Sequence, residues 1–559
     1  MDNKRIFLWG AVGVLAWLNF ITWQRDYPPV AAPMAQPDGA GSAGVASTTL
    51  PDLPAASASS SSSAITEPAA ATAAGATPAT GSKIRVITDV FDLDLNTRGG
   101  DIERADLLQY TVSKDQPGSL IRLLSDQPDT LFVARSGLLA ADTAAPSHLA
   151  IYSAEANEYR MQPGQNELVV KLSWNDPRGI SIDKLYTFKR GSYAVSVQYL
   201  VRNDTQTTWQ GASYVQLQRH DLPVSYSMLD ATTIAYRGPA VYDGNAYSKL
   251  NITDDANSQF KETITGGWMA GLQHYFVVAA VPPLDQTYDY SLTTAGDSDY
   301  TFTYRGPLQS VAAGATGQLR ETLFIGPKLQ NQLAATGPEL ERTTDYGLLY
   351  IIARPLFWLL EKVQQYVGNW GITIIITTLL IKLAFYRLTA SSGRSMAKMR
   401  TIAPKMKALQ ERYKDDREAL GRATMELYKK EKINPVAGCL PMLIQIPFFM
   451  GFYWVLLESV ELRQAPFFGW VTDLSTRDPY FILPVIMGVA NYLQFKLNPA
   501  PPDPMQAKVM AFMPIVMTVM MAWFPSGLVL YWITNTAVSA LQQWRINKLV
   551  AADAKAASA

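Results

Sequence analysis

A single basic side chain, Lys382, lies near the middle of an otherwise apolar stretch, TTLLIKLAFYRL at residues 377–388. An ammonium group costs free energy in a lipid bilayer and in a soluble core alike, so this lysine requires contact with water or with polar groups. Arg387 follows five residues later, about 7 Å along a helix, and the lysine could reach that interface by snorkelling. The alternative is that Lys382 faces an internal, water-filled cavity, and both interpretations stay open.

Polar residues recur in the other long apolar segments. Thr378 precedes Lys382 by four residues, so both lie on one helical face. Interhelical hydrogen bonding would explain such residues without a cavity. No acidic residue lies in the hydrophobic middle of any apolar segment. A lysine without an ion-pair partner there favours a water-filled site or the binding of an anionic group. The other polar residues in these segments are Gln445, Asn491, Gln494, Asn535, Ser539 and Gln542.

Methionines recur at helical spacing in KVMAFMPIVMTVMMAWF, residues 508–524. Bundle packing or lipid contact would explain one methionine face. The alternative is an adaptable surface for varied apolar partners, because thioether side chains are flexible and polarisable. The methionines at spacings of three, four and three residues are Met510, Met513, Met517 and Met520.

Residues 387–438 connect two apolar segments and carry 13 basic and six acidic side chains. Such basic loops stay on the cytoplasmic side of a membrane. Apolar residues at helical spacing predict a helical hairpin at 392–433, with Pro404 kinking or starting its first helix. Contact with anionic lipids and docking of ribosomes or targeting factors both remain open, whereas direct nucleic-acid binding is not expected of a membrane-tethered loop. The candidate docking residues are Arg394, Lys398, Arg400, Lys405, Lys407 and Arg412.

The apolar segments predict a membrane protein with six spans and both termini in the cytoplasm. Residues 1–24 place basic residues before an apolar run, which favours an uncleaved transmembrane anchor over a cleaved signal peptide. Residues 25–82 are rich in Ala, Pro and Ser and predict a disordered tether. The five further spans form an α-helical core at 366–546, and a short cytoplasmic tail follows at 547–559.

Between the tether and the five spans the chain alternates with a period of two. LYTFKRGSYAVSVQYLVRN at 185–203 predicts a hairpin that turns at Arg190 and Gly191. Many such strands predict a large external antiparallel β-sandwich at 83–328. The connector at 329–365 contains GLLYIIARPLFWLL, which predicts an interfacial amphipathic helix on the outer surface. Further strands are predicted at 166–174, 274–281, 299–306 and 318–326.

Metal and disulfide chemistry are not indicated by the sequence. Cys439 is the single cysteine, and His148, His220 and His274 stand far apart. An internal disulfide is therefore excluded, and no pair has the spacing of a zinc site. No paired-carboxylate or nucleophile motif stands out in the external domain, and we expect no metal, no cofactor and no enzymatic activity.

Motifs in the last third of the chain resemble those of bacterial insertases. The resemblance is to the YidC/Oxa/Alb family of membrane protein insertases, in the order of domains found in its Gram-negative YidC members. It is highly specific from about residue 346 to 545, whereas in 83–327 it rests on layout alone. The motifs that carry it are NWG (369–371), SMAKMR (395–400), NPVAGCLPMLIQIPFF (434–449), SVELRQAPFFGWVTDLS (459–475), DPYFILP (478–484), DPMQ (503–506) and FPSGLVLYW (524–532).

This resemblance implies an insertase and chaperone of the bacterial inner membrane, which inserts nascent membrane proteins alone or with the Sec translocon. It implies a hydrophilic groove open to cytoplasm and lipid, and an external domain of the β-supersandwich type. Lys382 stands where relatives commonly carry arginine; it keeps the charge without the planar fork, which favours simple electrostatic attraction. The expected groove residues are Lys382, Thr378, Gln445, Trp532 and Asn535, and the expected substrate slide comprises Met442, Phe449, Met510, Met513, Met517 and Met520.

Two other classes of protein remain open from the sequence. A small-solute transporter also uses charges within the membrane, although the five spans show no internal repeat. An envelope enzyme with a sugar-active β domain is the second, because the external domain resembles sugar-binding folds in shape.

Overall fold

The computed structural model describes residues 81–140, 145–220, 235–296, 298–413, 416–431, 435–497 and 504–558. The predicted anchor at 1–24 and the predicted tether, apart from Gly81 and Ser82, lie outside the described residues. The side chains of Arg400 and Met442 also lie outside the described part of the chain.

The domain after the tether is built from β-strands in two sheets. In chain order the described strands are β1 (Lys83–Ile87), β2 (Phe91–Asn96), β3 (Ile102–Thr111), β4 (Leu120–Leu124), β5 (Phe132–Ala140), β6 (Ser153–Ala154), β7 (Glu158–Arg160), β8 (Glu167–Asp176), β9 (Ile180–Lys189), β10 (Ala194–Asn203), β11 (Trp209–His220), β12 (Gly238–Tyr242), β13 (Tyr247–Lys249), β14 (Lys261–Thr265), β15 (Trp268–Leu272), β16 (Phe276–Val281), β17 (Thr287–Ala295), β18 (Asp299–Arg305), β19 (Gln309–Val311) and β20 (Thr316–Pro327).

Eleven described strands form the first sheet, in the order β14-β17-β18-β11-β5-β3-β2-β1-β7, with β19 beside β11 and β4 beside β3. Nine form the second sheet, in the order β13-β12-β15-β16-β20-β10-β9-β8-β6. The described pairs are antiparallel apart from the parallel pair β1–β7. Buried side chains of both sheets meet in one shared hydrophobic core. The domain is therefore a large, mostly antiparallel sandwich.

Alternation of buried and partly exposed residues explains the predicted hairpin. In β9 and β10 every second side chain is buried, including Ile182, Tyr186 and Tyr199, because a pleated strand points successive side chains to opposite faces. Gly191 has a φ of 72° and makes the turn that glycine favours. The predicted hairpin at 185–203 is thus confirmed as β9–β10, and the four further predicted strands are confirmed as β8, β16, β18 and β20.

One of the alternating buried residues of β9 is a lysine. Lys184 is fully buried, and its Nζ donates to the carbonyl oxygens of Gly99 at 2.8 Å and Ser136 at 2.9 Å. Burial lowers the pKa of Lys184 to about 8. These hydrogen bonds tie β9 of the second sheet to β5 and to the β2–β3 turn of the first.

Glu321 is a buried carboxyl group that also lies between the sheets. It stands on β20, is 1% exposed, and accepts a hydrogen bond from the hydroxyl of Tyr304 on β18. Its other oxygen, Oε1, is buried without a hydrogen-bond partner among the described residues. Burial raises the pKa of Glu321 to about 7, so the folded domain favours the protonated, neutral carboxyl group.

Helices dominate the chain after residue 349. The described α-helices are α1 (Asp255–Ser258), α2 (Gln330–Thr336), α3 (Tyr350–Val367), α4 (Trp370–Ala384), α5 (Tyr386–Thr401), α6 (Ala403–Arg412), α7 (Arg417–Lys430), α8 (Pro435–Glu458), α9 (Ile482–Leu497), α10 (Pro504–Met521) and α11 (Ser526–Ser558).

The structure adds detail at two helix boundaries. Pro404 lies in the first turn of α6, as one of the two predicted possibilities had it, because a proline has no N–H to bond the carbonyl of the preceding turn and there separates α6 from α5. The described part of the predicted tail, residues 547–558, belongs to α11, which continues to Ser558; its alanine-rich sequence favours helix.

Taken over the described residues, no single helix is both long and apolar enough to cross a membrane. The pair Trp370–Ala384 and Tyr386–Met399 meets both conditions together, with a bend of 70° between its members. Ile482–Leu497 and Lys508–Met521 are shorter apolar helices. In the bundle, α11 packs against α4, α5 and α9, while α3 packs against α8.

The loop between α8 and α9 binds the β domain. Arg463 donates to the carbonyl oxygens of Thr111 at 2.6 Å and Val112 at 3.0 Å. In the other direction, Lys114 donates to the carbonyl oxygen of Thr472 at 2.6 Å. Val460 of this loop is 1% exposed and belongs to the hydrophobic core of the β domain.

Replacing Glu321 by glutamine is expected to stabilise the β domain at neutral and alkaline pH. Because the folded-state pKa is raised from 4.5 to about 7, the native state holds this proton more tightly, and wild-type stability falls as pH rises through that window. Glu321→Gln removes this loss, so its advantage over wild type should grow by about 3 kcal/mol between pH 4 and pH 8. Protease resistance of the β domain in the full-length protein, followed during thermal unfolding, measures it.

The matched control is Glu167→Gln, at an exposed position of β8 in the same sheet. It should leave the pH dependence of unfolding close to that of wild type. A Glu321→Gln advantage that is the same at pH 4 and pH 8 would contradict the assignment.

Candidate functional site

Lys382 is the charged centre of the helical bundle. It lies in the last turn of α4, a helix that begins where the side chain of Asn369 accepts a hydrogen bond from the backbone of Ile372. Lys382 is only 8% exposed, and its Nζ donates to Ser539 Oγ on α11 at 2.7 Å. Its head is thus held against a neighbouring helix rather than extended towards Arg387. No ion pair found among the described side chains includes Lys382.

A chain of hydrogen bonds runs from Lys382 along α11 to α8. Ser539 Oγ donates to the backbone oxygen of Asn535 at 2.7 Å. The side-chain oxygen of Asn535 accepts from Gln445 Nε2 at 3.1 Å. Three of the expected groove residues, on α4, α8 and α11, are thereby brought together through Ser539. We refer to Lys382, Ser539, Asn535 and Gln445 as the polar chain.

Trp532 extends the polar surface of α11 towards α9. Its Nε1 donates to Asn491 Oδ1 at 3.3 Å, and Thr536 Oγ1 donates to the same oxygen at 3.3 Å. The Trp532 ring meets the ring of Phe449 edge-on, with centroids 4.8 Å apart. Phe449, expected on the substrate slide, therefore packs partly buried between α8 and α11.

Two threonines of α4, Thr377 and Thr378, are buried. Thr378 is buried, and its hydroxyl donates to the Ile374 carbonyl of its own helix at 2.6 Å. Thr377, which sequence reasoning did not single out, is fully buried, and its Oγ1 has no hydrogen-bond partner within the described part of the chain. A buried hydroxyl group without a protein partner requires a hydrogen bond to water or to a ligand. The sequence could not indicate this need, because a threonine within an apolar run is not unusual.

The methionines of α10 mostly face outwards. Met510, Met513 and Met520 are exposed, whereas Met517 is half-buried against the bundle. The exposed surface of α10 is apolar on other faces as well, since Phe512 and Ile515 are more than half exposed. The methionine face is therefore one part of a broader exposed apolar surface on α10.

The basic residues expected to dock partners lie on the outside of α5 and α6. Arg394, Lys398, Lys405, Lys407 and Arg412 are exposed. Lys405 pairs with Glu431 just after α7 at 2.6 Å, which joins the start of α6 to the end of α7. Met406 and Ile402 are buried beneath. The structure thus has a hairpin with an apolar inside and a basic outside.

The described residues contain no group of three or more His, Cys, Asp or Glu side chains that could hold a metal ion. The polar chain also contains neither a carboxylate nor a thiol. Its chemistry is that of hydrogen bonding and of one positive charge.

Comparisons with known proteins cover almost the whole chain. Residues 83–359 match the family described as the YidC periplasmic domain, and residues 362–553 match the family described as the 60Kd inner membrane protein. The membrane protein insertase YidC of Stutzerimonas stutzeri is 43% identical over 561 residues, with 100% of both chains covered. That of Alkalilimnicola ehrlichii is 46% identical over 550 residues, covering 98% of this chain and 95% of the relative.

One solved structure also matches this chain. The crystal structure described as active YidC insertase with the first transmembrane domain resolved is 18% identical, covers 83% of this chain and 94% of its own, and has a TM-score of 0.36. The family matches and full-length relatives decide the assignment. This chain belongs to the YidC family of bacterial inner-membrane protein insertases, which are not enzymes and which carry a periplasmic domain.

Proposed function

We propose that Lys382, Thr378, Gln445, Trp532 and Asn535 line a hydrophilic groove through which this insertase passes the polar tail of a nascent membrane protein. The observation that carries this proposal is the polar chain, which joins α4, α8 and α11 around one buried ammonium group. Such a groove shortens the hydrocarbon distance that a polar tail must cross.

Lys382 would act as the attracting charge of this groove. An ammonium group has three N–H donors, and Ser539 accepts one of them. A carboxylate of the tail could accept another, and attraction between opposite charges is strong where water is scarce. The nascent apolar helix would then leave for lipid, because burial of its apolar surface is favourable.

The exposed methionines of α10 are proposed to form the slide along which that helix leaves. Met510, Met513 and Met520 present flexible side chains on an exposed apolar helix, which suits apolar partners of varied shape. Met517 and Phe449 lie deeper and would shape the slide from behind. Met442 completes the proposed set from α8.

The remaining assignments extend this proposal to the whole chain. Anchor 1–24, tether 25–82, β domain 83–328, connector 329–365 and core 366–546 would give six spans with both termini in the cytoplasm. The basic outside of the α5–α7 hairpin would then meet anionic lipids and dock ribosomes or targeting factors. Cooperation with the Sec translocon is proposed alongside independent insertion.

Removing the charge of Lys382 is expected to impair insertion of acidic-tailed substrates. Lys382→Ala should lower insertion of a single-span substrate with an acidic external tail by about tenfold, the size expected when one charge-assisted hydrogen bond is lost. A substrate with the same tail made neutral should change little. Insertion is measured by protease protection of the tail in inverted membrane vesicles.

Lys382→Arg is the matched control, since it retains the positive charge. It should insert the acidic tail nearly as well as wild type. If neither variant alters insertion of either substrate, Lys382 is not part of the insertion path.

Photocrosslinking tests the slide. A crosslinking side chain at Met513 or Met520 should capture a nascent apolar helix severalfold more efficiently than one at Met521, which is only 4% exposed on the same helix. Ile515 is the second control, because it is 56% exposed but lies about 200° around the helix from Met513. Equal capture at Ile515 and Met513 would identify general lipid-side contact instead of a methionine path.

A further inference from the structure

We propose that Ser539 is a positioning residue of the insertion reaction, whose hydroxyl group holds the ammonium group of Lys382 inside the bundle and aims it at the incoming tail. This inference rests on the proposed role of Lys382 in the groove. Ser539 lies on α11, 157 residues from Lys382 in the chain, and the two side chains meet at 2.7 Å.

The hydrogen bonds of Ser539 have a fixed direction. A serine hydroxyl has one hydrogen to donate and two lone pairs that accept. The backbone oxygen of Asn535 takes that hydrogen at 2.7 Å, as serine commonly does within a helix. The lone pairs of Ser539 are therefore left to accept from Lys382, and they are the part of a hydroxyl group that a cation prefers.

Without this acceptor, extending the ammonium group of Lys382 to water would cost less free energy than keeping it buried. Its four-carbon stem is flexible, and Arg387 lies only five residues further along the chain, just beyond the 70° bend that ends α4. A lysine this close to an interface tends to extend its head to water. Ser539 offsets part of the cost of burial, which is consistent with an exposed fraction of only 8% for Lys382.

The packing of α11 does not depend on Ser539. One turn further on, Gln542 Nε2 donates to Thr389 Oγ1 of α5 at 2.9 Å. Gln543 Nε2 next to it donates to the Gly393 carbonyl at 3.3 Å. These contacts join α11 to α5, the helix that follows α4, without touching Lys382. Loss of the Ser539 hydroxyl should therefore release the lysine head while leaving the helices in place.

The test uses the full-length protein and the two substrates with acidic and neutral tails. Ser539→Ala should lower insertion of the acidic-tailed substrate by about fivefold, less than the loss in Lys382→Ala because the charge itself remains, and should change the neutral-tailed substrate less than twofold. Ser539→Thr should restore insertion, since threonine keeps a hydroxyl group that can bond the preceding helical turn.

Gln542→Ala is the matched structural control. It removes a hydrogen bond between α11 and α5 and leaves Ser539 intact, so any effect should be equal for the two substrates. If Ser539→Ala also affects both substrates equally, or if Ser539→Thr fails to restore insertion, the positioning role is overturned.

Measuring Lys382→Ala in parallel separates the positioning role of Ser539 from the proposed role of the Lys382 charge. A selective defect in Lys382→Ala without one in Ser539→Ala would overturn the positioning role alone. No selective defect in Lys382→Ala would overturn the proposed groove charge itself. A selective defect in both variants, with recovery in Ser539→Thr, supports the inference.

Discussion

The helical part of this insertase depends on keeping one ammonium group buried. Burial of a charge costs several kcal/mol unless hydrogen bonds compensate for it, and Lys382 obtains its compensation from Ser539 on α11. Polar residues recur along α11, where Trp532, Asn535 and Ser539 each bind a side chain of another helix. In a bundle of apolar helices, these few polar contacts supplement the apolar packing that holds α11 against its neighbours.

A second buried lysine shows what a purely structural solution looks like. Lys184 of the β domain donates to two backbone carbonyl oxygens, and the rings of Tyr152, Tyr186 and Tyr199 lie within 5.9 Å of its Nζ. Its surroundings are saturated, because carbonyl dipoles and aromatic faces both stabilise a cation. Lys382 has one hydroxyl acceptor among the described residues. This difference supports a role in which N–H donors of Lys382 are left available to bind an anionic group of a substrate.

Local sequence patterns predict the strands and helices of this fold. They do not predict which residues far apart in the chain form hydrogen bonds. The hairpin β9–β10 follows from alternation, and the long helices follow from apolar runs, since each signal lies within about 20 residues. The acceptors of Lys184 lie 85 and 48 residues away, and Ser539 lies 157 residues from Lys382. Ser539 was visible as a polar residue on a helical face, but its partner is set by tertiary packing. The family resemblance added Trp532 to the expected groove residues, because the pattern of polar residues alone did not single it out.

Contacts between residues distant in the chain also join the periplasmic domain to the polar chain. The loop after α8 is held by Arg463 and by Val460, which lies inside the β-domain core. Within α8, Gln445 binds Asn535 of the polar chain, 13 residues before the helix ends at Glu458, or about 20 Å along the axis. One helix therefore has its outer end fixed by the β domain and its middle fixed by α11. A tilt of α8 would therefore strain its attachment to the β domain, its attachment to α11, or both.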